Sequence, residues 1–272
     1  MRENRGSLRV IAIGAHPDDC EFYFGGTAAK LAAQGHEVKF VSVTNGDAGH
    51  HRLAGLELAA RRRAETEEAA RRLGIAAWEV LDHHDGLFLP DLAPRLQIIR
   101  CLRLWQADVV LTHRFNDYHP DHRYTSQLVQ DSAYLVLVPN ICPDAPVLRR
   151  NPVYLYFEDD FQKPAAFTPD VVVAIDDVWS RKLDALDAHV SQFYEWLPWV
   201  DWNGEPVPSS PEERRAWLET KVSRPPSPRV REMLARRYGA ECAGRIRHAE
   251  AFELCEYGRR PTPDELDELF PR

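Results

Sequence analysis

Four short apolar stretches, each ending in a polar loop and separated from the next by a helical segment, constrain this chain more than any other feature. Leu8–Ala15, Val38–Thr44, Trp78–Leu81 and Asp108–Thr112 read as strands. Between them Gly25-Gly26-Thr27 opens a helix running to about Gln34, with Gly35 as its stop, and Leu56–Leu73 forms a long helix closed by Gly74. Pro94–Trp105 and His122–Val136 read as two more helices. This alternation predicts an α/β fold whose sheet is mostly parallel, with helices on both faces. Ligands of such sheets sit beyond the carboxyl ends of the strands. The loops starting near His16, Asn45, His83–Gly86 and His119–His122 all follow strands and are expected to converge on one cleft.

The chain changes character after Val138. Pro139–Pro152 is irregular, and Val153–Phe157 and Asp170–Ile175 look like further strands. Val178–Tyr194 reads as a helix, Trp196–Pro211 as an aromatic, proline-rich loop, Pro211–Val222 and Arg229–Arg237 as helices, and Glu241–Tyr257 as a last helix. The expected organisation is a single domain over 1–272. A Rossmann-like core spans 1–138, and C-terminal strands and helices over 139–272 serve substrate binding or oligomerisation.

Several function classes are disfavoured. A net charge of −8 argues against a general nucleic-acid binder. Met1–Leu8 is polar, with no apolar signal region, and no window approaches the roughly 18 apolar residues of a membrane span. The five cysteines, Cys20, Cys101, Cys142, Cys242 and Cys255, lack CxxC spacing and read as free thiols of a reducing cytoplasm. Gly14 stands alone where a dinucleotide loop would need GxGxxG, and no nucleophile elbow is present.

Two motifs carry chemistry: Ala15-His16-Pro17-Asp18-Asp19 and His119-Pro120-Asp121-His122. Imidazole mixed with carboxylate suits a divalent transition metal, and hydrolysis at such a metal also wants a spare carboxylate as base. In a loop leaving a strand, His16 and Asp19 can turn to one point while Asp18 faces a neighbouring position. Each motif also has a blander reading as a capped helix start. Their coincidence at one sheet edge favours a two-His, one-Asp site with its fourth position open, as in catalytic zinc. Arg61-Arg62-Arg63 lies among Glu57, Glu65, Glu67 and Glu68 and reads mainly as a solvated face. The aromatic run Phe193–Trp202 reads either as a packed seam or subunit interface, or as an aromatic wall for a sugar or apolar group.

These residues resemble the PIG-L/LmbE family of zinc-dependent N-deacetylases, which act on N-acetylglucosaminyl compounds. The AHPDD-x-E pattern stands at Ala15–Glu21, followed by Gly25-Gly26-Thr27, and HPDH stands at His119–His122. Arg62-x-x-Glu65, Asp85-Gly86, the Lys182, Ala185, His189-x-Ser191-Gln192 segment and Tyr238–Phe252 look like further family segments, the last as a C-terminal helix. The resemblance implies zinc (or another divalent metal such as Fe2+) held by His16, Asp19 and His122. It implies Asp18 as general base and His119 as an imidazolium facing the acetamide. Asp121 is implied as the partner that orients and charges His119, and Arg62 and Asp85 as substrate-binding residues. Cys20 departs from the commoner acid after the second Asp, and Tyr118 stands one place nearer the first histidine than the tyrosine of some relatives.

The expected activity is removal of acetyl from an N-acetylated amino sugar or its conjugate. The partners are a small amino-sugar molecule, no nucleic acid and no membrane, with a homo-oligomer in view. The alternatives are an amidase acting on a thiol or sugar conjugate, and a zinc-pocket binding protein without turnover.

Overall fold

A computed structural model describes residues 6–272. Its strands are β1 (Arg9–Gly14), β2 (Glu37–Thr44), β3 (Ala77–His83), β4 (Val109–Thr112), β5 (Val153–Phe157), β6 (Val171–Ala174) and β7 (Ala249–Gly258). The helices are α1 (Asp19–Ala33), α2 (Gly55–Leu73), α3 (Leu92–Trp105), α4 (Pro120–Leu135), α5 (Trp179–Ala188), α6 (Leu197–Val200), α7 (Pro211–Val222), α8 (Pro228–Tyr238), α9 (Ala240–Ala243) and α10 (Pro263–Leu269), and a π-helical segment spans Ser191–Trp196.

The strands form one sheet in the order β3-β2-β1-β4-β5-β7-β6. The five from β3 to β5 run parallel, and β7 runs antiparallel to both its neighbours. Side chains alternate faces along a strand, so β1 splits its apolar run between two cores. Val10 and Ala12 pack with Phe24 and Ala28 of α1, Leu73 of α2 and Ala185 of α5. Ile11 and Ile13 pack with Ile98 and Leu102 of α3 and Leu128 and Val129 of α4. Burial on both faces is why these strands read as continuous apolar runs. Chain order reverses between β1 and β4, and that switch point opens a crevice at their carboxyl ends.

Three sequence expectations give way to tertiary structure. The helix expected from Gly25 begins six residues earlier, at Asp19, with both glycines inside it. A Cβ on Gly26 would stand 2.8 Å from the Ile175 side chain, so the glycine marks a close helix approach, not a start. The long helix expected over Val178–Tyr194 stops at Ala188. There Glu65 accepts from the backbone N–H (2.9 Å) and hydroxyl (2.6 Å) of Ser191, and the chain rewinds as the π-helical segment. The last expected helix, Glu241–Tyr257, is mostly β7, and only Ala240–Ala243 is helical. Ala249, Glu250 and Ala251 are not strand formers by composition, but the gap between β5 and β6 supplies two rows of backbone partners. Glu250, buried there, accepts from the Gly26 and Thr27 N–H groups of α1 and from Lys182 Nζ at 2.7 to 2.8 Å.

Among the described residues no helix is long and apolar enough to cross a membrane.

Candidate metal centre at the sheet switch point

The loop after β1 and the first residue of α1 carry His16, Asp18 and Asp19 into the crevice, and the loop after β4 with the first turn of α4 carries His113, His119 and His122. Two imidazoles and a carboxylate meet there. His16 Nδ1 lies 3.1 Å from His122 Nε2 and 3.6 Å from Asp19 Oδ2, and His122 Nε2 lies 3.5 Å from Asp19 Oδ1. Each separation is near the roughly 3.4 Å between ligands about 2.0–2.1 Å from a tetrahedral ion, with a different Asp19 oxygen facing each histidine. Single ligand atoms of His16, His119 and His122, and of Asp19, His113 and His122, lie within 4.8 Å of one another. Two imidazole nitrogens facing each other at 3.1 Å also need a proton or a cation between them.

The far edge of each ring is backed by carboxylate. His16 Nε2 lies 3.2 Å from Asp85 Oδ1 and 3.4 Å from Asp121 Oδ2, and His122 Nδ1 lies 3.1 Å from Asp117 Oδ2. Such partners fix which nitrogen of a metal-ligating histidine turns inward. The electrostatics ask for positive charge at this point. Burial opposes the His16 cation, yet Asp121 and Asp85 push its pKa up to about 10. Burial likewise opposes the Asp19 carboxylate, but His122 and His113 hold its pKa well below the usual range. The donor set therefore fits a divalent metal.

Asp19 does not cap α1. Its Oδ2 accepts from the Ala15 and His16 N–H groups at 2.9 and 2.8 Å and so locks the loop. Asp18, at the helix N-cap position, makes no capping bond either. Its Oδ1 is 3.2 Å from Arg62 Nη2. Burial raises the Asp18 pKa and Asp19 adds to this, while Arg62 and His189 pull it down.

The second motif does cap its helix: His119 Nδ1 accepts the Asp121 N–H at 3.2 Å. An accepting Nδ1 is unprotonated, which differs from the imidazolium expected from the sequence. Burial, then His16 and His122, lower the His119 pKa. The Asp121 carboxylate, expected to charge His119, turns to His16 and the Gly86 N–H (2.8 Å), while its charge still works to raise the His119 pKa. Pro120 between them starts α4, which directs the Asp121 side chain inward.

Arg62 is buried, not part of a solvated face. Its guanidinium donates to Pro17 O (3.2 Å) and Gly46 O (3.5 Å) and reaches Asp85 Oδ2 at 3.9 Å, so it ties Asp18 to Asp85 from below. His113, absent from the sequence reading, stacks on the His122 ring (centroids 4.0 Å apart) with its Nε2 3.1 Å from Asp19 Oδ2. The signal was available: His113 follows β4 directly, as His16 nearly follows β1. The aromatic run divides, with Phe193 and Tyr194 buried against Leu183, Leu186 and Leu218. Trp199 is 58% exposed and stacks on His51. A separate cavity of about 150 Å3 lies beside the cluster, walled by Tyr23, Glu158, Trp179 and Arg224.

The family model PIG-L, described as GlcNAc-PI de-N-acetylase, matches residues 11–133, which include every residue of the triangle. The diacetylchitobiose deacetylase of Thermococcus kodakarensis is 30% identical over 198 residues, covering 70% of this chain and 73% of that protein. The 4-oxalmesaconate hydratase of Pseudomonas putida is 26% identical over 201 residues, covering 71% and 77%. The solved structure of N,N'-diacetylchitobiose deacetylase from Pyrococcus horikoshii, complexed with its inhibitor MPG, superposes with a TM-score of 0.67 at 28% identity, over 90% of this chain and 83% of that one. With the identity, the coverage and the triangle in agreement, this chain belongs to the PIG-L family.

Proposed function

We propose that this protein is a zinc-dependent N-deacetylase that releases acetate from an N-acetylated amino sugar or a conjugate of one. The observation that carries the reading is the His16, Asp19, His122 triangle with a separate carboxylate, Asp18, beside it on its own arginine. A pocket built only to hold a metal has no use for Asp18. His16 Nδ1, His122 Nε2 and Asp19 would hold the metal, with Fe2+ the other candidate. A divalent metal bound there polarises the acetamide carbonyl and lowers the pKa of the attacking water.

Asp18 takes the proton of that water as its oxygen bonds to the carbonyl carbon. Arg62 fixes the carboxylate for this role. His119, protonated on Nε2 in its neutral form, donates a hydrogen bond to the developing oxyanion, as a neutral imidazole can. The C–N bond then breaks, the proton held by Asp18 passes to the leaving nitrogen, and a primary amine and acetic acid result, the acid losing its remaining proton to become acetate. Asp85, paired through Arg62 to the base, receives a substrate hydroxyl. The five free cysteines, four of them buried, support a reducing compartment such as the cytoplasm.

The test is amine release from a panel of N-acetylglucosaminyl compounds by zinc-loaded protein, beside a chelated control and the Asp18→Asn variant. Metal-dependent release that falls about 100-fold in Asp18→Asn, with zinc content unchanged, is the expected result. Full activity of Asp18→Asn overturns the base assignment. No amine release, with hydration of an unsaturated oxo acid instead, moves the protein to the chemistry named for its Pseudomonas relative.

A further inference from the structure

The cavity beside the metal cluster lies at the same carboxyl edge of the sheet. Glu158, in its wall, directly follows β5, and β5 pairs with β4, the strand that leads to His113 and His122. Tyr23 of α1 joins the two places. Its ring stands edge-on to His113 (centroids 5.7 Å apart), and His113 stacks on His122. Tyr23, Glu158 and Asp159 line both the cavity and a narrow gap that reaches His113 and Asp117. The cavity volume of about 150 Å3 is about ten times what one water requires, so a ring-sized group has room.

The cations of the wall are already paired. Lys182 Nζ donates to Glu250 Oε1 (2.7 Å) and Phe22 O (2.6 Å), and Arg224 Nη1 stands 3.0 Å from Asp160 Oδ2. His248 stacks on Trp179 and is held by Asp176 (2.9 Å) and Ser223 (3.2 Å). Other polar groups are left over. Among the described residues nothing hydrogen-bonds or pairs with the Glu158 carboxyl or the Tyr23 hydroxyl, and Asp159 Oδ2 is buried without a partner.

Fold stability does not account for these groups. A phenylalanine would stack on Phe157 as Tyr23 does. Burial pushes the half-buried Glu158 carboxyl up to about 7, a cost that no hydrogen bond within the chain offsets. A few unpaired polar groups on a largely apolar wall are what orient a ligand in a pocket, and here Phe22 and Trp179 supply the apolar part. Carboxyl oxygens and a phenol accept from hydroxyls, and the phenol can also donate. Such a wall suits the hydroxyls of a neutral ring and repels a phosphate or carboxylate.

We propose that this cavity takes a neutral, polyhydroxylated ring, a second sugar or a cyclitol, joined to the amino sugar whose amide lies at the metal, with Glu158 and Tyr23 bonding its hydroxyls. The proposal rests on the deacetylase reading and names the half of the substrate that does not react.

Four N-acetylglucosamine compounds test it: the methyl glycoside, a disaccharide of two such sugars, a glycoside of a cyclitol, and the 1-phosphate. For one of the two neutral ring conjugates, kcat/KM is expected to exceed that of the methyl glycoside and of the 1-phosphate by about 10-fold, as two added hydrogen bonds supply. Which of the two leads tells sugar from cyclitol. In Glu158→Ala and in Tyr23→Phe, the preference for that conjugate over the methyl glycoside is expected to fall about 5-fold, through KM and not kcat. Glu158→Gln, which still accepts and donates, loses less. A preference unmoved in both variants, or the 1-phosphate as the best of the four, overturns the proposal. Tyr23→Phe keeps its ring in place and carries the test if Glu158→Ala does not fold.

A second readout stands apart from turnover: saturation-transfer NMR of the deacetylated conjugates on zinc-loaded protein. Protons of the second ring are expected to receive saturation in the wild type and to lose most of it in both variants. Equal saturation in wild type and variants overturns the cavity assignment even where amine is released. The expected pattern in a protein that releases no amine upholds the cavity assignment and faults the deacetylase reading alone.

Discussion

Asp121 Oδ2 stands 3.4 Å from His16 Nε2, on the ring edge opposite the nitrogen that faces His122 and Asp19. The second motif thus sets two imidazoles, His119 and His122, near His16 and adds a carboxylate that backs the His16 ring. Among the described residues its other oxygen, Oδ1, is buried without a hydrogen-bond partner. Asp121→Asn removes the charge but not the shape, and is expected to weaken zinc binding about 10- to 100-fold, as outer-sphere partners do. Competition with a chelator of known affinity measures this. Unchanged affinity would mean that Asp85 alone orients His16.

His113 supports Asp19 as Asp121 supports His16. His113→Phe keeps a ring stacked on His122 but cannot engage Asp19 Oδ2. Zinc affinity is expected to fall about 10-fold while the thermal midpoint of the zinc-free protein moves little. A large loss of stability with normal zinc binding would assign His113 to packing.

Arg103 is fully buried on α3 and donates to six backbone carbonyls, those of Leu135, Val136, Val138, Ile141, Cys142 and Ala145. It thereby caps the end of α4 and holds the irregular turn that follows. Arg103→Ala strands those acceptors and leaves a cavity, and is expected to destabilise by about 3–5 kcal/mol. Urea unfolding checks this, and a loss under about 1 kcal/mol would show that water replaces the guanidinium.

Glu158 has a pKa raised to about 7, because burial and then Asp160 disfavour its charge, with Arg224 and Lys182 offsetting part. The folded protein therefore binds more protons than the unfolded chain between about pH 4.5 and 7, and this group's share of stability falls as pH rises through that window. Glu158→Gln removes the penalty. It is expected to raise the thermal midpoint at pH 8 and to leave it nearly unchanged at pH 4.5. An equal rise at both values would trace the effect to packing.

The sequence by itself determined the alternation of strands and helices, the parallel sheet and the two motifs at its carboxyl edge, because hydrophobic period and short polar motifs are local properties. His16, Asp19 and His122 could be named as candidates for that reason. Tertiary structure decided what depends on partners far along the chain. Alanine and glutamate lean helical alone, yet Ala249–Ala251 is strand because β5 and β6 leave a slot with unpaired backbone on both sides. Arg62 sits in a charged run on an amphipathic helix, but only the packed fold turns it inward, between Asp18 and Asp85. The direction of the Asp121 carboxylate and the burial of His113 and His189 likewise follow from where α1, α4 and α5 meet. A sequence shows which groups can ionise or ligate, but only the packed chain decides which of them face one another out of water.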